Sequence, residues 1–239
     1  MTTPTATTAP SAARHAAAPF RFSTSLILQE ATGLRAATLA QLAQLLREVP
    51  DGCIYHHTHH FLLIHQSFTP EPANDLAYWV TEVLGEELLG ERLAGIDIMA
   101  YASLSALREV LVRTVEEYLR DSPTARLRFV SAGQEFFFVK SVHVIMPTPY
   151  TATTLAEFAQ ALERVSLHAL YFHMFDARLR IGRTTNDFAL WVSEQLGLQK
   201  LGERMAHLDP YAHTLDALRQ TLLSLIAEEL PSAQGATHA

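Results

Sequence analysis

Apolar positions along this chain follow two periods, and the order of the periods repeats. Alternation comes first. Phe20, Phe22, Leu26 and Leu28 fall on one face of a predicted strand, as do Phe136, Phe138, Val142 and Val144. Helical spacing follows: Leu39, Leu42, Ala43 and Leu46 form a stripe, matched by Leu155, Phe158, Ala159 and Leu162. Thr38 and Thr154 stand where a short hydroxyl caps this first helix, which stops at Val49-Pro50 or Val165-Ser166. Asp51 and Ser166 are the expected caps of a second helix, which carries histidines. Asn74 and Asn186 are expected to cap a third. A fourth carries Leu89-Gly90-Glu91-Arg92, matched by Leu201-Gly202-Glu203-Arg204. The fifth shows Leu104, Leu107, Leu111 and Val115, matched by Leu215, Leu218, Leu222 and Ile226. Ahead of the second alternating run, Leu127-Arg128-Phe129-Val130 and the Ser131-Ala132-Gly133-Gln134 turn read as a hairpin.

The chain is therefore written twice. His57 and His173 are 116 residues apart, Asn74 and Asn186 only 112, so the loop between them is longer in the first copy. A period this long is a duplicated domain-sized unit. The pattern predicts an α+β, predominantly helical fold. It has two pseudo-symmetric repeats, each a strand followed by about five helices, sharing a small sheet of about three strands. Residues 19–121 form repeat one, and 122–230 form repeat two with its leading hairpin. The Thr-, Ala- and Pro-rich segment 1–18 and the segment 231–239 are expected to be disordered tails, having too few large apolar groups to offset ordering entropy.

Composition narrows the classes. Of 239 residues, 49% are hydrophobic and 18% charged, enough apolar surface for a core. The formal net charge of −7 argues against nucleic acid as a partner. There is no apolar run of the roughly 18 residues a membrane span needs, and no secretory leader pattern. With a single cysteine, Cys53, this points to a cytoplasmic protein.

Two copies also sort the polar residues into shared and private sets. Thr38/Thr154, Asn74/Asn186, Asp75/Asp187 and Asp97/Asp209 suit helix starts. Glu91/Glu203, Arg92/Arg204 and Arg108/Arg219 suit ion pairs tying the fourth helix to the fifth. Trp79 and Trp191 lie on apolar stripes and read as core. His57 and His173 point to the apolar side of their helix, where a histidine ordinarily holds a carbonyl or a carboxylate. The sharper reading places both, with Tyr55 and Tyr171, across a pseudo-dyad in a shared polar pocket, able to hold a metal or haem or to act as acid and base. Asn74 and Asn186 complete this candidate ligand-binding set. The private set is dominated by His56, His59 and His60, at i, i+3 and i+4 on one face of an ideal helix. That spacing can chelate a divalent ion such as zinc. No glutamate stands between them as a base, and the second copy has Phe172, Phe175 and Asp176 instead. A divalent metal is thus a candidate cofactor but not the favoured one. Phosphate-loop, dinucleotide-loop and nucleophile-elbow motifs are absent from the sequence. Cys53 beside the histidines is a weak nucleophile signal, and Arg178 to Arg183 reads as a solvated basic helix end.

The combination of Tyr55-x-His57, Asn74-Asp75 with Trp79, and Asp97 with Arg108, together with the second-copy partners, resembles an uncharacterised prokaryotic family, domain of unknown function 5752. The likeness covers nearly everything between Phe20 and Leu230. It implies a bacterial, cytoplasmic protein and supplies no activity. The reading favoured at this point is a binding or scaffold protein with a ligand site between the repeats and an unknown protein or small-molecule partner. The alternative is a metal- or histidine-dependent enzyme using residues 54–65.

Overall fold

The computed structural model describes residues 14–65, 74–182, 185–208 and 214–230. Ten helices and two long strands account for its regular structure among the described residues. Strand β1 (Phe20–Ala36) is followed by α1 (Leu39–Glu48) and by α2 over residues 51–65. Then come α3 over 75–83, α4 (Glu87–Ala94) and α5 (Leu104–Asp121). Strand β2 (Phe136–Ala152) is followed by α6 (Leu155–Arg164), α7 over 167–181, α8 (Asp187–Leu196), α9 (Gln199–Ala206) and α10 (Leu215–Glu229). Each strand thus precedes five helices, as the patterning predicts.

Local chemistry explains most of the helix starts. Thr38 and Thr154 accept from the backbone N–H of Gln41 and Glu157, and Glu157 reaches back to complete a capping box. Ser166 caps α7 through Ala169 N–H. Asp51 does not cap α2: it is the first helical residue, behind Pro50, and its carboxylate instead meets Arg108 at 2.7 Å. Arg108 also donates to the Leu46 carbonyl, and Arg219 donates to the Glu163 and Val165 carbonyls. These arginines therefore tie the fifth helix of each set to the end of the first, not to the fourth. A carbonyl row at a helix end is the nearest acceptor for a guanidinium lying across it. Arg204 does pair with Glu228 on α10, whereas Arg92 lies over the Tyr118 ring at 5.7 Å. Asp97 caps the 3-10 turn Ile98–Ala100; Asp209 lies outside the described residues.

The sheet differs from expectation. It has two strands, β1 and β2, paired antiparallel. The expected third strand is a 3-10 turn, Pro123–Leu127, followed by irregular chain. Arg128 turns to Glu86 (2.7 Å) and Val130 N–H to the Ala37 carbonyl, leaving Leu127 and Phe129 exposed. The alternating burial of the strands also stops early. Phe20, Phe22 and then Ser25 are buried, while Leu26 and Leu28 are about half exposed; Phe136, Phe138 and Ser141 repeat the pattern, with Val144 exposed. Between Ser25 and Ala36, and between Ser141 and Ala152, no strand residue is buried, so parity there no longer predicts burial.

The chain packs as two compact units. One takes the described residues of Met1–Ser25, Ile145–Ala177 and Thr185–Ala239; the other takes those of Leu26–Val144 and Arg178–Thr184. Apart from the end of α7, from Arg178, helices α1–α5 fall in one unit and α6–α10 in the other, but the starts of the strands are exchanged. The start of β1 is packed with helices α6–α10, and the start of β2 with α1–α5.

In the first unit Phe20 touches Phe158, Phe188 and Trp191 at ring-centroid distances of 5.3, 5.4 and 5.7 Å. We call this the aromatic unit. In the other, the histidine unit, Phe136 meets His57 at 4.5 Å and Trp79 at 5.8 Å. The same anchors recur in both. Trp191 donates to the Ala18 carbonyl (2.9 Å) and Trp79 to the Gln134 carbonyl (2.8 Å). Thr148 donates to the Phe22 carbonyl and Thr32 to the Phe138 carbonyl. Residues 14–18, the described part of the N-terminal segment, are also tied down. Arg14 donates to the Leu196 carbonyl at 3.0 Å and Ala16 N–H to the Thr153 carbonyl at 2.8 Å.

Candidate functional site

The residues singled out from the sequence gather on α2 and α7. Neither is a plain α-helix. Each opens with an α turn, Asp51–Tyr55 or Leu167–Tyr171, and passes through one π turn, His56–His60 or Phe172–Asp176, before resuming. A π turn fits one extra residue into the helix and often marks a functional position. Here it buries runs of consecutive side chains: His57, Thr58, His59 and His60 in one helix, Phe172 through Asp176 in the other. Thr58 further returns its hydroxyl to the Ile54 carbonyl at 2.6 Å.

His57 sits at the centre of the shared chemistry. Its Nδ1 lies 2.6 Å from Asp75 Oδ2, and its Nε2 accepts the backbone N–H of Val139 at 3.1 Å. His173 repeats this, with Asp187 Oδ2 at 2.7 Å and the N–H of Ser23 at 2.8 Å. An amide N–H must meet a lone pair, so Nε2 carries no proton and the ring donates from Nδ1 to the carboxylate. Both nitrogens are thereby occupied within one unit. The imidazole pins a strand's outward N–H to a helix and caps an otherwise open sheet edge.

Asn74 and Asn186 are fully buried and work on two sides. Oδ1 accepts the N–H of Ala77 or Ala189 at 2.9 Å, capping α3 or α8. Nδ2 donates to the Leu93 or Met205 carbonyl at 3.0 Å, binding the next helix. The amide places an acceptor and a donor on separate atoms; aspartate lacks the donor, and a serine hydroxyl would have to reach both partners from one oxygen. Tyr55 and Tyr171 are buried on α2 and α7, two residues before His57 and His173.

The private histidines do not share one face, because the π turn rotates them apart. His56 and His60 stay together at 5.0 Å between ring centroids, with His56 Nδ1 3.0 Å from Ser141 Oγ and His60 Nε2 3.2 Å from Gln29 Nε2. His59 instead stacks on Tyr55 at 5.4 Å, and His143 from β2 meets the edge of that tyrosine at 4.3 Å. Burial, helped by the neighbouring His143, holds the His59 imidazole down to about 3; burial and the adjacent His57 and His60 hold His56 down to about 4. Burial also lowers His143. The His56 and His59 rings are neutral at pH 7. Among the described residues, no three His, Cys, Asp or Glu side chains are arranged to hold a metal ion. Cys53 is fully buried, and burial raises its thiol pKa, so it has the character of an inert core cysteine. Gly52 is required where it stands, since a Cβ there would lie 2.7 Å from the Ser141 carbonyl. Ser141 and His143, which come from β2, are not among the site candidates of the sequence; Ser141 is marked there only as a serine kept in both copies, with Ser25.

Residues 17–227 match a family described as "Family of unknown function (DUF5752)". The chain belongs to that family. Its Asn-Asp helix starts, tryptophan anchors and His–Asp pairs are thus properties of a DUF5752 member. The chain is also similar to a solved structure, "The structure of OrfY from Thermoproteus tenax", at 29% identity and a TM-score of 0.77, covering 90% of this chain and 97% of that one. No curated protein matches. No described helix is long and apolar enough to cross a membrane.

Proposed function

We propose that this DUF5752 protein is a non-enzymatic binding or scaffold module built by internal duplication. One observation carries the reading. The polar side chains kept in both copies are occupied by the fold itself: both ring nitrogens of His57 and His173, and both ends of the Asn74 and Asn186 amides. A general base or metal ligand needs a ring nitrogen directed at substrate or ion, and here each nitrogen already has a backbone or carboxylate partner. In this reading Tyr55, His57, Asn74, Tyr171, His173 and Asn186 serve binding by fixing the helices that present the surface.

The second reading, a metal- or histidine-dependent enzyme on residues 54–65, is favoured by the neutral His56 and His59 rings and the neighbouring His60 of the histidine unit. One experiment separates the two. Protein purified without a histidine tag is subjected to elemental analysis, and its melting midpoint is recorded with and without zinc. The module reading expects neither stoichiometric metal nor a rise in midpoint. One metal per chain, lost in His56→Ala and His60→Ala variants, overturns it in favour of the second.

A further inference from the structure

The aromatic unit is completed by a segment that precedes every other described element. Residues 14–25 supply Phe20 and Phe22 to a core otherwise built from α6–α10, and they do so with a defined set of anchors. Trp191 holds the Ala18 carbonyl, Gln195 accepts the Ala18 N–H at 3.1 Å, and His173 accepts the Ser23 N–H. Phe20 and Phe22 are 7% and 0% exposed, so without this arm the bundle would present an apolar slot lined by Phe158, Phe188 and Trp191. More than a hundred residues separate the arm from the helices that receive it, and a single chain connection, Ser25–Leu26, joins it to the next unit.

We propose that this slot is a strand receptor open to a second copy of the same chain, and that the protein forms dimers by exchanging residues 14–25. Exchange needs no new contact. The arm of one copy finds in the other the same tryptophan, histidine and phenylalanine partners it has at home. The balance between closed monomer and exchanged dimer is then set by concentration and by the cost of redirecting the chain at Ser25–Leu26, which lies inside β1. The occupant is identified by the structure itself: the segment Phe20-Arg21-Phe22-Ser23 is seen seated, and another copy carries the identical segment.

The test uses the full chain, prepared in isotopically light and heavy forms, mixed, unfolded and refolded together over a range of concentrations. Native mass spectrometry is expected to show dimers increasing with refolding concentration, about half of them light–heavy hybrids, as random pairing of copies requires. An Ala18→Cys/Gln195→Cys pair in a Cys53→Ser background then reports where the arm lies. A disulfide joining light to heavy chain supports exchange. Monomers at every refolding concentration, or dimers whose disulfides stay within one chain, overturn it. The readout rests on the linkage and not on loss of folding, so an unstable variant does not mimic a positive result.

Discussion

Helices α2 and α7 share a backbone and differ in chemistry. Both carry the π turn, and both fix a histidine between an aspartate and a strand N–H. Yet one carries His56, His59 and His60 where the other carries Phe172, Phe175 and Asp176. The π turn therefore does not depend on the histidine run. It belongs to what the copies have in common, and the private residues are variations laid over it. The same holds one layer out. The aromatic unit packs Phe158 and Phe188 against its strand, where the histidine unit has Leu42 and Leu76, but the tryptophan and asparagine anchors are unchanged.

The largest way to break this comparison is to truncate the strand phenylalanines. Phe22→Ala is expected to destabilise the aromatic unit by about 3–5 kcal/mol. The loss should be read by Trp191 fluorescence in a Trp79→Phe background, with little early change of the Trp79 signal in a Trp191→Phe background. Phe138→Ala should do the reverse. If Phe22→Ala acts first on Trp79, the strand starts are not assigned as described.

The next effect concerns the helix pair α8–α9. A Cβ on Gly202 would lie 2.8 Å from the Ala189 carbonyl and 1.9 Å from Ser193 Oγ, whereas one on Gly90 would meet mainly the Thr81 hydroxyl, which can turn away. Gly202→Ala is expected to cost about 1–3 kcal/mol and Gly90→Ala less, as urea midpoints would reveal.

Acid should separate the units more gently. His59 and His56 titrate in the folded protein near 3 and 4, below the roughly 6.5 of an unfolded imidazole. Groups with a lowered folded pKa of this kind favour the neutral, folded form at high pH. Protonation of the unfolded chain draws stability away as pH falls below about 6.5, at roughly 1 kcal/mol per pH unit for a ring as buried as His59. The Trp79-reported midpoint should therefore drop between pH 7 and pH 5 by more than the Trp191-reported one. His59→Phe, which copies the residue type of the second repeat, should narrow the gap. Equal drops in the parent protein would remove the private histidines from the account.

The smallest effect lies at the caps. Thr154→Ala is expected to lose about 1 kcal/mol by chemical denaturation, through its capping box with Glu157.

Much of the fold is legible in the residues because its causes are local. Thr38, Thr154, Asn74 and Asn186 cap the helices their positions suggest, and the apolar stripes of α1, α5, α6 and α10 are buried as their spacing requires, apart from the half-buried Leu104 and Ala159. The errors fall where a distant partner decides. Leu127–Val130 alternates like a strand, but Arg128 is drawn to Glu86 and no neighbouring strand accepts the segment. Asp51 has the chemistry of a cap, but Arg108 takes its carboxylate. The histidine face assumed an even 3.6-residue period that the π turn interrupts. Ser141 and His143 join the site only because β2 crosses α2, a contact between residues some 85 positions apart.

Sequence alone determined that the chain carries two matched sets of a Phe-x-Phe strand and five helices, with a histidine, an asparagine and a tryptophan kept in each. It could not say which strand serves which helices. Both strands present the same phenylalanines at the same parity, so the local energetics of either pairing are nearly alike. Tertiary structure made the choice. The start of β1 lies with α6–α10 and the start of β2 with α1–α5, since chain connectivity and the packing of whole units, not side-chain identity, distinguish the two arrangements.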